Sequence, residues 1–213
     1  MTLSELVDRI ERISAREAGV VVIGIVGAPG VGKTTLAEQL MASLNQNKPD
    51  PDQQRFAHVP LDGFHLSDQE LARLGLLERK GAPETFDEHG YAALLKRLRG
   101  RRDSVVYAPG FERTIEQPIA GVIPVYPSVR TILTEGNYLL LDRPGWRQAQ
   151  AQCTEVWYCE QDENLRLDRL IQRHILFGKS PAAAAEWVER VDEPNARLIE
   201  ATKNRADLVI RVE

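Results

Sequence analysis

The sequence predicts an α/β protein in which helices cover both faces of a mainly parallel sheet, giving three layers (α/β/α). Apolar, β-branched runs typical of buried strands recur along the chain, at residues 20–26, 56–61, 105–107, 130–135, 155–159 and 208–210. Segments with apolar residues at helical spacing lie between most of these runs. Strands that alternate with helices are typical of βαβ units, and therefore of a parallel sheet.

Length and composition fit one compact domain. The chain has 213 residues, of which 43% are hydrophobic and 27% charged. Its net charge of −4 gives no general attraction to nucleic acid or anionic membranes, so we expect neither as a partner. No apolar run is long enough to span a bilayer and no signal-peptide pattern opens the chain. The two cysteines, Cys153 and Cys159, form no C-x-x-C motif and are interpreted as apolar fillers. We therefore expect a cytoplasmic protein.

Residues 27–34, GAPGVGKT, match the phosphate-loop pattern G-x-x-x-x-G-K-[ST] between a predicted strand and a predicted helix. We expect its three glycines to take positive φ and turn N–H groups towards a phosphate. Lys33 can then reach the β- and γ-phosphates, and the Thr34 hydroxyl can bind Mg²⁺. The motif predicts ATP and Mg²⁺ as ligands, with these nucleotide-binding residues: Gly27, Ala28, Pro29, Gly30, Val31, Gly32, Lys33, Thr34 and Thr35.

Two acidic residues end predicted strands, where side chains of an open α/β sheet face the ligand crevice. Asp62 follows residues 56–61 and is a candidate to accept a proton or hold Mg²⁺, with an Asx-turn as the alternative. Glu135 ends residues 130–135 in the manner of a Walker B strand. It is therefore a candidate metal ligand, and a solvent-exposed strand end is its alternative.

The helix predicted from about residue 162 to 177 carries Arg166, Arg169 and Arg173 on one face. A break at Gly178 and a second helix follow, which suits a lid over transferring phosphates at roughly residues 166–190. The alternative is that these arginines form surface ion pairs.

We predict two irregular segments near this site that contact the acceptor substrate, residues 75–88 and the stretch beginning at 109–113. Residues 47–50, NKPD, match a guanine-reading signature, but no strand precedes them, so we interpret them as a turn.

Three segments of the sequence resemble parts of known kinases. "LTEGNYLLL" at residues 133–141 and "IEATKNRADLVI" at 199–210 are similar to segments of the phosphoribulokinase/uridine kinase family of P-loop kinases. "KGAPETFDEHGYAALL" at residues 80–95 resembles bacterial type I pantothenate kinases. The resemblance runs from about Val20 to the C-terminus. It is greatest for a small kinase-like branch in which some members are labelled fructokinase.

This resemblance implies a P-loop NTPase fold and a role for several residues. Asp62, in "LDGFH", takes the place of the family's catalytic base, Glu135 helps to hold Mg²⁺, and adenine lies near Lys203. Arg169 and Arg173 belong to a helical arginine lid. The predicted catalytic residues are Asp62, Lys33, Arg169 and Arg173. The predicted acceptor-binding residues are His65, Phe111, Arg113 and Tyr138.

The acceptor side departs from the family pattern. The uridine kinase motif Y-D-F-x-x-H-x-R is replaced by Phe111-Glu112-Arg113 with no H-x-R after it, and the lid's R-D pair is Arg173-His174. We therefore expect residues 1–213 to form one ATP-dependent kinase domain that phosphorylates a hydroxyl of a sugar, a pantothenate-like compound or a nucleoside, with a homodimer as an option. The alternatives are a nucleotide-driven switch or assembly chaperone, and a regulator without turnover.

Overall fold

The structure, a computed structural model, describes residues 1–46, 54–100 and 102–212. The turn interpreted at residues 47–50 lies outside this range. The described strands are β1 Val21–Val26, β2 Phe56–Pro60, β3 Val106–Glu112, β4 Gln117–Val125, β5 Thr131–Glu135, β6 Glu155–Glu160 and β7 Leu208–Arg211. The described helices are α1 Leu3–Arg16, α2 Lys33–Leu44, α3 Asp68–Leu74, α4 Glu88–Arg99, α5 Pro144–Gln150, α6 Glu163–Leu176, α7 Pro181–Trp187 and α8 Glu193–Glu200.

Five strands form the main sheet, in the order β2-β5-β1-β6-β7, and every neighbouring pair is parallel. Strand β1 lies at the centre, and all six of its residues are buried, as its uninterrupted apolar run predicts. Its register places Ile25 beside Glu135, and β2 places Pro60 beside the same residue on the other side. The carboxyl ends of β1, β2 and β5 therefore meet at one edge of the sheet.

Helices cover both faces of this sheet. On one face, Leu6 and Ile10 of α1 and Leu36 and Leu40 of α2 pack against the inward side chains of β1. On the other face, side chains of α4, α5 and α8 form a second core, with Trp146 at its centre. This arrangement confirms the predicted three-layer fold and its mainly parallel sheet.

The strands β3 and β4 form an antiparallel hairpin that the sequence analysis missed. A strand was predicted at residues 105–107, with an irregular segment beginning at Pro109, whereas β3 continues to Glu112. Pro109 lies where the ladder shifts register between Ala108 and Gly110, so the strand tolerates its missing N–H donor. Strand β4 does not alternate between buried and exposed residues, since residues 119–122 are all exposed.

The N-terminal caps of α1 and α3 differ in how completely they form. Thr2 and Glu5 form the full capping box of α1. Ser67 caps α3 by accepting the Glu70 N–H at 3.3 Å, but the Glu70 carboxylate is bound by Arg73 at 2.6 and 2.8 Å rather than by the cap backbone. Across the described residues, no helix has the length and apolar character needed to span a membrane.

Candidate active site

The phosphate loop connects β1 to α2 and leaves the first turn of that helix open. Gly30 and Gly32 have φ values of +82° and +94°, which favour glycine, and Gly32 is the N-cap of α2 with no side-chain cap. The N–H groups of the first turn are therefore available to an anion. The prediction of positive φ at Gly27 is wrong. Glycine is needed there because a Cβ would lie 2.6 Å from the Cys159 carbonyl oxygen.

Arg166 supports this loop from outside the cleft. Its guanidinium donates to the Pro29 carbonyl at 3.3 Å and pairs with Glu193 at 2.6 Å, and its side chain is 8% exposed. A Cβ at Gly30 would lie 2.9 Å from the Arg166 carbonyl, so loop and helix α6 are in close contact. Arg166 therefore does not face the same cleft as Arg173, as a common lid face would require.

Lys33 is folded back onto its own loop. Its ammonium donates to the main-chain carbonyls of Gly27 at 2.9 Å and Ala28 at 3.1 Å. Burial lowers the pKa of Lys33, and the nearby Glu135 carboxylate opposes that shift. The ammonium is held by neutral carbonyl acceptors. An anionic phosphate can replace them at a lower free-energy cost than it could replace a carboxylate.

Thr34 and Glu135 provide two oxygen atoms beside the loop. The Thr34 hydroxyl donates to Glu135 Oε1 at 3.1 Å, and Glu135 is 4% exposed. Burial, helped by the Asp62 charge, raises the pKa of Glu135 to about 7. A hydroxyl and a carboxylate are the hard donors that Mg²⁺ prefers, and the ion commonly completes its shell with water and substrate phosphates. The described residues contain no His, Cys, Asp and Glu group of three or more arranged to hold a metal by itself.

Asp62 lies in a 3₁₀ turn, Leu61–Phe64, directly after β2. Its Oδ2 accepts a hydrogen bond from Arg113 at 2.5 Å, a partner 51 positions away, rather than forming the local Asx-turn considered as an alternative. Burial acts to raise the pKa of Asp62, but the neighbouring side chains of His65, Arg113, Lys33 and Arg173 outweigh it, so the pKa is lowered. The carboxylate is therefore ionised at neutral pH and can accept a proton.

An aromatic wall stands beside Asp62. The His65 ring stacks on Phe86, with centroids 4.0 Å apart, and lies 5.1 Å from the Phe111 ring. Burial lowers the pKa of His65 to about 4, so the imidazole is neutral at pH 7. Arg113 lies 5.0 Å from the Phe111 centroid. A Cβ at Gly63 would collide with the Pro109 carbonyl, so the hairpin is in direct contact with the turn that carries Asp62.

One cleft of about 440 Å³ brings most of these groups together. Its lining includes these sequence-predicted residues: Pro29, Lys33, Thr34, Asp62, His65, Phe111, Arg113, Glu135 and Arg173. Of the other loop residues, Ala28 and Val31 are buried, and Thr35 is exposed on the first turn of α2.

Three other predicted residues lie elsewhere. Arg169 is exposed on α6 and does not line the cleft. Tyr138 is fully buried against Phe86 and Trp146, and its hydroxyl donates to the Gly81 carbonyl. Because its ring completes the core, Tyr138 supports the cleft wall rather than facing the cleft. Lys203 lines a second cavity of about 190 Å³ behind the phosphate loop and pairs with Glu160.

The structure adds lining residues that sequence reasoning missed. His174 and Asp192 meet at 2.8 Å, and Asp192 ends a π-helical turn, Val188–Asp192, that no sequence pattern indicates. Lys179 and Trp187 also line the cleft, with the ammonium 4.5 Å from the ring centroid. The break at Gly178 was the available signal for these residues, because it places the start of a new helix beside the end of α6.

His58 in β2 is a buried histidine next to the metal-binding candidate. Its Nε2 is 3.9 Å from Glu135 Oε1 and has no hydrogen-bond partner within the described part of the chain. Burial lowers the pKa of His58 to about 4 from an ordinary value of 6.5. As the pH falls below 6.5, the unfolded state therefore binds a proton that the folded state refuses, and the folded state loses stability.

We predict that His58→Gln weakens the acid sensitivity of the free protein. Between pH 8 and pH 5, the wild type should lose about 2 kcal/mol more unfolding free energy than the variant. Urea unfolding at both pH values measures this difference, and the pH 8 values serve as the internal control. Parallel losses in the two proteins would contradict the assignment of the shift to His58.

Comparison with known proteins adds to this geometry. A Schizosaccharomyces pombe protein with a provisional uridine kinase name is 32% identical over 202 residues, which cover 90% of this chain and 83% of that protein. The chain belongs to the phosphoribulokinase/uridine kinase family of P-loop kinases. No family model matches the chain.

Two further relatives of this chain also carry kinase names. The pantothenate kinase of Leifsonia xyli is 30% identical over 219 residues, covering 89% of this chain and 65% of that enzyme. A crystal structure from Silicibacter sp. TM1040, provisionally named a fructose transport system kinase, is 40% identical, with 99% of each chain covered and a TM-score of 0.86. The predicted family is thus confirmed, and the protein is in general terms an ATP-dependent small-molecule kinase.

Proposed function

We propose that this kinase, as one domain, transfers the γ-phosphoryl group of ATP to a hydroxyl group of a small metabolite. The observation that carries the proposal is that the ionised Asp62 and the aromatic wall share one cleft with Lys33, Thr34 and Glu135. A nucleotide-driven switch needs the second group of residues but has no use for the first. The names of the relatives place uridine, pantothenate and fructose among the compounds to test.

The roles of the residues follow from their positions. Mg²⁺, held by Thr34 and Glu135, would neutralise charge on the β- and γ-phosphates. Asp62 accepts the proton of the acceptor hydroxyl while the hydroxyl oxygen bonds to the γ-phosphorus. The bond between that phosphorus and the β–γ bridging oxygen breaks, which releases ADP. Lys33 leaves the carbonyls of Gly27 and Ala28 and binds the phosphates instead.

The nucleotide base has a separate place in this proposal. The cavity behind the loop is lined by Ala28 and Val31 of the loop and by Tyr158, Glu160 and Lys203, and it shares no lining residue with the acceptor cleft. We assign it to adenine. The two cavities would then divide the substrates, with the transferring phosphate above the loop between them.

The proposal is tested by measuring ADP release with ATP and Mg²⁺ in the presence of single acceptors. The panel contains nucleosides, pantothenate, pentoses, hexoses, fructose and glycerate, and reactions without acceptor set the background. We expect at least one compound to raise ADP release well above background and to yield its own phosphate ester. Stimulation by a protein partner alone, with no phosphorylated small molecule, would contradict the proposal and favour the switch.

Arg173 and Arg169 provide a matched pair, because both lie on α6 but only Arg173 lines the cleft. We predict that Arg173→Ala lowers kcat by about tenfold, the typical effect of losing one charge-assisted hydrogen bond, and changes the KM for ATP less. Arg169→Ala should stay within about twofold of the wild type on the same reasoning. Steady-state kinetics of both variants decide this, and equal losses in both would show that the lid contact extends beyond the cleft.

A further inference from the structure

The charges of the cleft differ in whether they already have partners. Four carboxylates of its lining are paired in the structure: Asp62 with Arg113, Asp68 with Lys80, Glu78 with Arg190 and Asp192 with His174. A fifth, Glu135, accepts from Thr34 at the metal site, and Glu116 on the hairpin is the one lining carboxylate without an ion pair in the described residues. Glu116 is therefore the one carboxylate of the described lining that is free to pair with a cationic group of a ligand.

Positive charge, in contrast, remains available. Among the described residues, neither Arg173 nor Lys179 has a carboxylate within ion-pair distance, although both line the cleft. In the proposed function Lys33 binds the phosphates of ATP, and we assign Arg173 to the transferring γ-phosphoryl group because its loss is expected to lower kcat more than ATP affinity. Lys179 is then a lining cation that, among the described residues, contacts the Trp187 ring but has no carboxylate partner.

The position of Lys179 is fixed by its backbone. Gly178 has a φ of +99°, and the Lys179 N–H donates to the His174 carbonyl at 3.1 Å, which ends α6 in a Schellman motif. Ser180 caps the next helix. The ammonium is also held 4.5 Å from the Trp187 ring centroid. Since the lysine is placed before a ligand arrives, little side-chain freedom is lost on binding.

Arg113 faces the cleft from the hairpin. Its described hydrogen bond to Asp62 uses one of its five N–H donors, so others are available to a ligand. The positive charge of Arg113 also repels that of Arg173. The pKa of Arg173 is lowered because protein displaces water around the guanidinium and because Arg113 repels it, which outweighs the attraction of Asp192, Asp62 and Glu116. The side chain remains open to the cleft. An anion in the cleft relieves this repulsion.

Neutral hydrogen-bonding side chains are few in the same lining. Thr34 belongs to the phosphate loop, and Asn137 is the one amide among the described lining residues. The acceptor wall is otherwise aromatic or charged, with His65, Phe86 and Phe111 as its rings. Hydroxyl groups of any acceptor can use these charged side chains and His65, whereas an anionic group would in addition neutralise the unpaired cations.

We propose that the acceptor carries an anionic group, a carboxylate or a phosphate, and that Lys179 on the lid binds this group opposite Arg113. This inference rests on the proposed kinase function and specifies its substrate class. It makes Lys179 a specificity-determining residue, whereas Asp62 acts on the hydroxyl of the same molecule.

Matched acceptors that differ in charge test the inference. The pairs are glycerol with glycerate and pantothenol with pantothenate for a carboxylate, and fructose with fructose 6-phosphate for a phosphate. Turnover is measured for each compound, and calorimetry measures its binding to the enzyme loaded with Mg²⁺ and a non-hydrolysable ATP analogue. We expect the anionic member of at least one pair to exceed its neutral partner by about tenfold or more in kcat/KM or affinity.

Substitution of Lys179 links that preference to one residue. Lys179→Met should raise the KM for the anionic acceptor by about 10- to 100-fold and leave the KM for ATP within about threefold, while Lys179→Arg restores most of the affinity. Lys96→Met, which removes an exposed lysine from α4, should match the wild type. Equal use of both members of every pair, or an anion preference that survives Lys179→Met, would overturn the inference.

The design separates the inference from the kinase proposal. Anionic compounds that bind through Lys179 but are never phosphorylated would support the anion site and contradict the proposed function. Phosphorylation of neutral acceptors with no charge preference would support the function and overturn the anion site. If no compound of any pair binds or reacts, both are overturned.

Discussion

Replacing Asp62 by asparagine should reduce phosphoryl transfer by about 10²- to 10⁴-fold, the usual effect of losing a general base. Asparagine keeps the size and polarity of the side chain but cannot take the proton of the acceptor hydroxyl. The lowered pKa of Asp62 means that the wild-type carboxylate is ready for this role at neutral pH. ATP affinity should stay within about threefold, because the phosphate loop and Lys33 set most of it.

Single-turnover kinetics and nucleotide binding should be measured together on this variant. Asp142→Asn is a suitable control, because Asp142 is 71% exposed and pairs only with Arg147 among the described residues. Transfer at the wild-type rate would exclude Asp62 as the base. A parallel collapse of ATP binding would instead assign Asp62 to the metal or to the support of the site.

Replacing Lys33 by methionine should weaken ATP binding or turnover by about 10- to 100-fold. The change removes a positive charge and its hydrogen bonds from the phosphates, worth about 1.5–3 kcal/mol. Methionine keeps most of the side-chain length, so the fold should persist even though the carbonyls of Gly27 and Ala28 lose their donor.

The comparison protein is Lys96→Met, which makes the same chemical change on an exposed face of α4. Nucleotide titration and kcat are measured for both variants, and thermal unfolding checks that each is folded. ATP affinity and turnover that are both unchanged in Lys33→Met would contradict the assignment of the phosphate loop.

The features that sequence predicted well are those with strong local signals. The uninterrupted run of β-branched residues in β1 indicates a strand that is buried on both faces of the sheet. The phosphate-loop motif that follows it is typical of a loop that leads into a helix. Asp62 and Glu135 were found because both end parallel strands, whose carboxyl ends meet at one edge.

What could not be predicted depends on long-range contacts. Strand β4 has an exposed stretch with no period, so its pairing with β3 gives no local signal. Tyr138 was predicted to bind the acceptor, yet its ring completes the core around Trp146. Arg166 shares a helical face with Arg169 and Arg173 by spacing, but tight contact with the loop at Gly30 turns it to a supporting role.

The contact between Gly63 and Pro109 has a consequence for how substrate choice evolves in this chain. Because no side chain larger than hydrogen fits at position 63, the hairpin and the turn bearing Asp62 are held at one fixed spacing. Mutations on the hairpin surface that leave the Pro109 backbone in place can alter which molecule is recognised without moving the reactive carboxylate. Insertions beside Pro109 change recognition and reactivity at once, so new acceptors are reached most readily through the tip of the hairpin, around Arg113.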